Sequence, residues 1–145
     1  MNESLKTSII LVADDEPHVA LEYQFLLCNN DCRIIKAYSG NEAFEKAKEE
    51  SPDLIILDIM MPESNETIGV IDPLQGVKLF KRLKNEPKTK NIPIIFSSIN
   101  AKARHIASEE LKAEGFFAKF YDDDEKFKCI DEILKKKTKS SENSL

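Results

Sequence analysis

Leu54-Ile55-Ile56-Leu57-Asp58 is apolar at four successive positions and then stops on an acid. A strand with one wet face alternates apolar and polar residues. A run that is apolar at every position suits a strand covered on both faces, as in a parallel sheet. The same form occurs twice more. Ile9-Ile10-Leu11-Val12-Ala13 runs into Asp14-Asp15, and Ile92-Pro93-Ile94-Ile95-Phe96 runs into Ser97-Ser98. Arg33 to Ala37 and Phe116 to Ala118 are shorter strand candidates.

Helical spacing fills the intervals. Val19, Ala20, Tyr23, Leu26 and Leu27 form one apolar stripe. Ser39-Gly40-Asn41-Glu42 reads as a capping box that opens a helix with Ala43, Phe44 and Ala47 inward. Val77, Phe80 and Leu83 form a third stripe, Ala103, Ile106, Ala107 and Leu111 a fourth, and Phe127, Ile130, Ile133 and Leu134 a fifth. Five strands alternating with five helices predict βαβ units and an open parallel sheet. Residues 5–137 are expected to form one domain. The Lys- and Ser-rich end has no periodicity, so 138–145 is expected to be a flexible tail. The thirteen residues Glu63 to Gln75 carry neither a helical nor a strand pattern.

The chain has 145 residues, the size of one domain. Such a domain buries roughly 68–70% of its unfolded surface and needs no covalent staples. Its net charge of −5 argues against nucleic acid or an anionic membrane as the main partner. Cys28, Cys32 and Cys129 are odd in number and make no CxxC pair, which suits reduced thiols in a cytoplasmic protein. No apolar run approaches the ~20 residues of a membrane span. His18 and His105 have no metal-like spacing, and Lys135-Lys136-Lys137 complements the end of a helix.

Open parallel sheets gather their chemistry beyond the carboxyl ends of the strands. Those ends here carry Asp14, Asp15, Asp58, Ser98 and Lys119. If strands one and three are neighbours, their carboxylates converge. Two like charges about 4 Å apart repel by about 4 kcal/mol at an effective dielectric of 20. Such a cluster calls for a cation or for raised pKa values. Mg²⁺ suits it, because this hard cation takes one or two carboxylates and shares a phosphate oxygen. Asp58 can then attack phosphorus to form an acyl phosphate, with Lys119 adding positive charge and the Ser98 hydroxyl bonding a phosphoryl oxygen. Singly, each residue has a plainer reading: a turn acid, a loop hydroxyl, a solvated lysine.

These segments together resemble the receiver domain of two-component response regulators. Ile10-Leu11-Val12-Ala13-Asp14-Asp15-Glu16-Pro17 is similar to the family's first strand and acid pair, and Pro52 to Pro62 to the segment around its phosphoacceptor. Pro93 to Ser98 and Gly115 to Lys119 resemble its fourth and fifth strands. The resemblance covers about Ser8 to Leu134 and implies a flavodoxin-like three-layer sandwich with strand order 2-1-3-4-5. It implies Asp58 as phosphoacceptor, and Asp14, Asp15, Asp58 and the Met60 backbone carbonyl as Mg²⁺ ligands. Ser98 and Lys119 would hold the phosphoryl group, and Phe116 with Ser98 would form a switch. The donor would be a histidine kinase or histidine phosphotransfer protein. The expectation is a stand-alone regulator that assists its own phosphorylation, is not a conventional enzyme, and signals to a separate protein through its fourth helix and fifth strand.

Three features depart from that pattern. Phe120 follows Lys119 where the family usually has Pro, Ile99 follows Ser98 where a small residue is usual, and the segment 63–75 is about ten residues longer than usual. That segment reads as a tolerated surface extension, or as a lid or partner-selective element. Glu63, Glu66 and Asp72 are weak rivals for the cation. The departures leave a phosphorylation-independent adaptor as an alternative, and the same acid cluster would also suit an unrelated phosphatase with an aspartyl intermediate. Met60 and Asn100 flank the site, and apolar Met60 cannot orient an attacking water, so slow self-dephosphorylation is expected.

Overall fold

The structure, a computed structural model, describes residues 7–27, 31–99, 103–119 and 122–143. Five parallel strands, β1 (Ser8–Ala13), β2 (Cys32–Ala37), β3 (Leu54–Asp58), β4 (Ile94–Ser98) and β5 (Gly115–Ala118), form one sheet in the order β2-β1-β3-β4-β5. Helices α1 (Pro17–Leu26), α2 (Gly40–Glu50), α3 (Gln75–Asn85), α4 (Ala103–His105, continued as a wider π turn over Ile106–Glu110) and α5 (Asp123–Asn143) alternate with them. The expected flavodoxin-like sandwich with its 2-1-3-4-5 order is the observed architecture.

The uninterrupted apolar runs have a simple cause. Side chains in a strand alternate between faces, and here both faces are covered. Leu11, Ala13, Ile55, Leu57, Ile94 and Phe96 enter one core with residues of α2, α3 and α4. Ile10, Val12, Leu54, Ile56 and Ile95 enter the other with Val19, Tyr23 and Ile130 of α1 and α5. In β1 and β3 the residues from Ile10 to Ala13 and from Leu54 to Leu57 are all at most 2% exposed.

The helices follow their stripes with local adjustments. Ser39 Oγ accepts from Glu42 N–H, but the Glu42 carboxylate reaches Tyr38 N–H at 2.6 Å, one residue before the expected cap. Ala43 and Ala47 are fully buried, while Phe44 sits at the edge under the Arg82 guanidinium, 4.1 Å from its ring centroid. Ala103 and Ala107 of the fourth stripe are buried, and Ala107 lies in the π turn, which ends with Leu111 N–H on Ile106 C=O.

At two places the structure adds to the sequence pattern. α5 stays helical through Asn143, where the sequence reading has a tail from 138. That stretch lacks an apolar stripe, yet it holds no Gly or Pro, and its Lys and Glu residues are good helix formers. The segment 63–75 also has structure. Asn65–Thr67 is a 3₁₀ turn capped reciprocally by Ser64 and Thr67, and Met61 bridges Asp72 in antiparallel fashion. Pro62 and Glu63 carbonyls accept from Gly40 and Asn41 N–H, and Ser39 Oγ bonds Asn65 Oδ1 at 2.8 Å. The first N–H groups of a helix lack internal partners, so the loop's start completes the N-terminus of α2.

Candidate functional site

Register brings the strand ends together. β1 lies between β2 and β3, Asp58 faces Ser97 across β3–β4, and Ser98 faces Ala118 across β4–β5. One carboxylate oxygen each from Asp14, Asp15 and Asp58 lies within 4.8 Å of the others. This is the only group of three metal-competent acids, cysteines or histidines among the described residues. Asp14 and Asp58 are 4% and 5% exposed, and Asp15 is half-buried.

Backbone geometry aims each acid. Asp14 N–H donates to Ala37 C=O, and Asp14 Oδ1 accepts from Glu16 N–H at 3.0 Å. Asp58 Oδ1 accepts from Met60 N–H at 3.3 Å. Gly76 at the start of α3 donates its N–H to Ile59 C=O at 2.8 Å. A Cβ on Gly76 would collide with the Asp58 carbonyl, so only glycine lets α3 come this close.

Lys119 follows β5 directly, and its N–H donates to Ser98 C=O at 3.0 Å. Its ammonium reaches Asp14 Oδ2 at 2.8 Å, Asp58 Oδ2 at 3.2 Å and Glu16 Oε1 at 3.3 Å. Asp14 Oδ2 is buried and accepts no well-aligned hydrogen bond, so the Lys119 contact is an ion pair of poor direction. Burial raises the Asp58 pKa to about 7, repulsion from Asp14 adds to this, and Lys119 offsets only part. Burial likewise raises Asp14 against the pull of Lys119 and of Glu16 N–H. For Lys119, burial disfavours the charge, but Asp14 and Asp58 outweigh it and raise the pKa. The pocket is thus a desolvated acidic cluster with one cation, short of positive charge.

That deficit is the test of whether Mg²⁺ fits. Hard oxygen donors, a buried carboxylate oxygen with no aligned donor and two acids reluctant to ionise are what a hard divalent cation relieves. The residues fit the ion.

The other expected site residues are also placed. Ser98 is buried at the end of β4, and the partly exposed Phe116 ring packs on the α2–α4 core with the Arg104 guanidinium 5.4 Å from its centroid. Met60 follows the strand with a partly exposed side chain, 38% accessible. Ile99 is 65% exposed and borders a cavity of about 80 Å³ shared with Glu16, Ser97 and Lys119. Phe120, Asn100 and Cys28 lie outside the described residues. Asp72 is engaged elsewhere, accepting from Lys78 Nζ at 2.7 Å and from Leu74 N–H and the Gln75 side chain. His18 is exposed beside Glu16 and Glu22, and His105 beside Glu109. Glu16 as a third carboxylate on Lys119, Gly76 as the close-approach glycine and the buried Lys126 have no counterpart in the sequence reading. Glu16-Pro17 sits inside the first motif, but its reach to Lys119 depends on tertiary packing.

The sequence matches the response regulator receiver domain family over residues 10–131. Among curated proteins, it is 38% identical to response regulator GtcR of Aneurinibacillus migulanus over 111 residues, 76% of this chain and 40% of that one. It is 32% identical to the polar-differentiation response regulator DivK of Brucella ovis over 88 residues, 61% of this chain and 63% of that one. The matches thus span less than two thirds of these relatives. A solved putative response regulator from Chloroflexus aurantiacus superposes with a TM-score of 0.73 at 28% identity, covering 89% of this chain and 98% of that one. The chemotaxis response regulator CheY4 of Vibrio cholerae, at 19% identity, shares the fold with a TM-score of 0.72 over 88% of this chain and 99% of its own. Sequence match, strand order and the acid pocket at the β1 and β3 ends agree: the chain belongs to the response regulator receiver domain family.

Proposed function

We propose that Asp58 accepts a phosphoryl group, and that its phosphorylated form signals by binding a separate protein. The donor is the phosphohistidine of a histidine kinase or histidine phosphotransfer protein. One Asp58 carboxylate oxygen attacks phosphorus, a new P–O bond forms, and the bond from phosphorus to the donor's imidazole nitrogen breaks. The imidazole leaves with the electron pair.

The chain's own groups supply the rest. Asp14 and Asp15, with Asp58 and the Met60 carbonyl, are the proposed Mg²⁺ ligands. When bound, Mg²⁺ neutralises charge on the phosphoryl oxygens. Lys119, already 3.2 Å from Asp58 Oδ2, offers its ammonium to a phosphoryl oxygen. Ser98 at the end of β4 donates its hydroxyl to another, and Phe116 shifts inward as Ser98 moves. The new charge of about −1.5 to −2 then biases a two-state rearrangement. Residues 5–137 form the receiver unit. The chain turns over no separate substrate, and its partners are proteins and not nucleic acid. No helix among the described residues is long and apolar enough to cross a membrane, and the proposed location is cytoplasmic.

The observation that carries this reading is the pocket in which Asp14, Asp15 and Asp58 converge beyond the ends of β1 and β3, with the Lys119 ammonium on Asp14 and Asp58. Acetyl phosphate with Mg²⁺, followed by intact-mass measurement, tests it. A gain of one phosphoryl group that disappears in Asp58→Asn is the expected result. No gain by a folded wild-type chain points to the phosphorylation-independent adaptor instead.

A further inference from the structure

Lys126 lies in the first turns of α5 and is only 6% exposed. Lysine is almost never buried without a partner. Its ammonium donates to the backbone carbonyl of Lys119 at 2.9 Å. On its other side the Tyr23 ring of α1 lies 5.8 Å from Nζ, within cation–π range. The helix that carries it is fixed locally: Asp122 C=O accepts Lys126 N–H, and Asp122 Oδ1 accepts from Asp124 and Glu125 N–H.

The carbonyl it holds belongs to the lysine of the acid pocket. Lys119 is therefore pinned twice along its main chain, by its N–H on Ser98 of β4 and by its C=O on Lys126 of α5. With both groups fixed, the Lys119 side chain departs toward Asp14 and Asp58 from a set origin. A misplacement of about 1 Å can cost on the order of 10²-fold in rate, so such an anchor bears on chemistry without touching the reacting atoms.

We propose that Lys126 is a positioning residue for phosphoryl transfer, holding the Lys119 main chain so that the Lys119 ammonium stays on Asp58. This rests on the phosphoacceptor reading of Asp58. Lys126 acts through Lys119 alone, with its own ammonium spent on the carbonyl.

The test is a double-mutant cycle with Lys126→Met, which keeps the stem length and removes the charge. The change leaves one carbonyl without this donor but strands no opposite charge, because Lys126 bonds a neutral backbone carbonyl, so the fold is expected to survive. With Lys119 present, K126M should slow phosphorylation by acetyl phosphate and Mg²⁺ about tenfold, the lower end of the scale for one lost hydrogen bond from a charged group. In a Lys119→Ala background the same change should cost less than about twofold, since the group it positions is gone. Equal losses in both backgrounds, or no loss beside Lys119, overturn the proposal. Hydrogen exchange at the Lys119 amide, without phosphodonor, is the second arm. It should be clearly faster in K126M, and unchanged exchange overturns the anchor. If the wild-type chain takes up no phosphoryl group, the phosphoacceptor reading and the catalytic role both fall. The exchange arm then decides the anchor separately.

Discussion

Replacing Asp58 by Asn should stabilise the metal-free protein, and increasingly so as pH rises. The Asp58 carboxyl is buried beside Asp14, and its pKa stands at about 7 against an ordinary 3.8. Below about pH 4 it is protonated in folded and unfolded chains alike, and its full contribution to stability is present. Between pH 4 and 7 the unfolded chain releases this proton while the folded chain keeps it, so stability falls as pH rises. One pKa unit corresponds to about 1.4 kcal/mol, so the whole shift amounts to roughly 4 kcal/mol, complete above the folded pKa. The amide of the Asp58→Asn variant cannot ionise and escapes that loss. Urea unfolding in EDTA at pH 4, 6 and 8 should show the variant gaining about 3–4 kcal/mol on wild type between the ends of the series. Mg²⁺ should narrow the gap, since a ligand at 100 times its Kd stabilises the form that binds it by about 2.7 kcal/mol. Parallel stability curves from pH 4 to 8 would refute the shared, desolvated pocket.

Three further outcomes follow from the same geometry. Lys119→Ala removes a charge-assisted bond worth about 1.5–3 kcal/mol, so phosphorylation should slow on the order of 10–100-fold. It should also shift the midpoint of the pH–rate profile upward, because Lys119 lowers the Asp58 pKa; stopped-flow rates at several pH values check both. Gly76→Ala drives a methyl into the Asp58 carbonyl and should cost about 1–3 kcal/mol by thermal unfolding, despite alanine's better helix propensity. Phosphorylated Asp58, followed by mass after donor removal, should outlast seconds, because Met60 offers no group to orient water; a half-life of seconds contradicts that.

Much of the fold was legible because burial on both faces leaves an unmistakable mark. Ile9 to Ala13 and Leu54 to Leu57 carry no alternation, and that alone argues for a covered parallel sheet. The acids were legible because they terminate those runs. What escaped depends on contacts that leave no period. Ser64 with Thr67, and Asp72 with Leu74, Gln75 and Lys78, order the long loop through single side-chain bonds. The far end of α5 rests on propensity without a stripe. Lys126 reads in sequence as one more solvated charge in an acidic turn, and only the approach of α5 to β5 gives it a partner.

The close seating of Gly76 on the end of β3 has a mechanical corollary. α3 abuts the strand that carries Asp58 with no slack, so one flank of the pocket is a stiff wall. α4, which packs into the same core as α3, is a single described α turn that widens into a π turn. Under the proposed phosphorylation of Asp58, the expected direction of yield is therefore toward β4, α4 and β5, set by unequal rigidity.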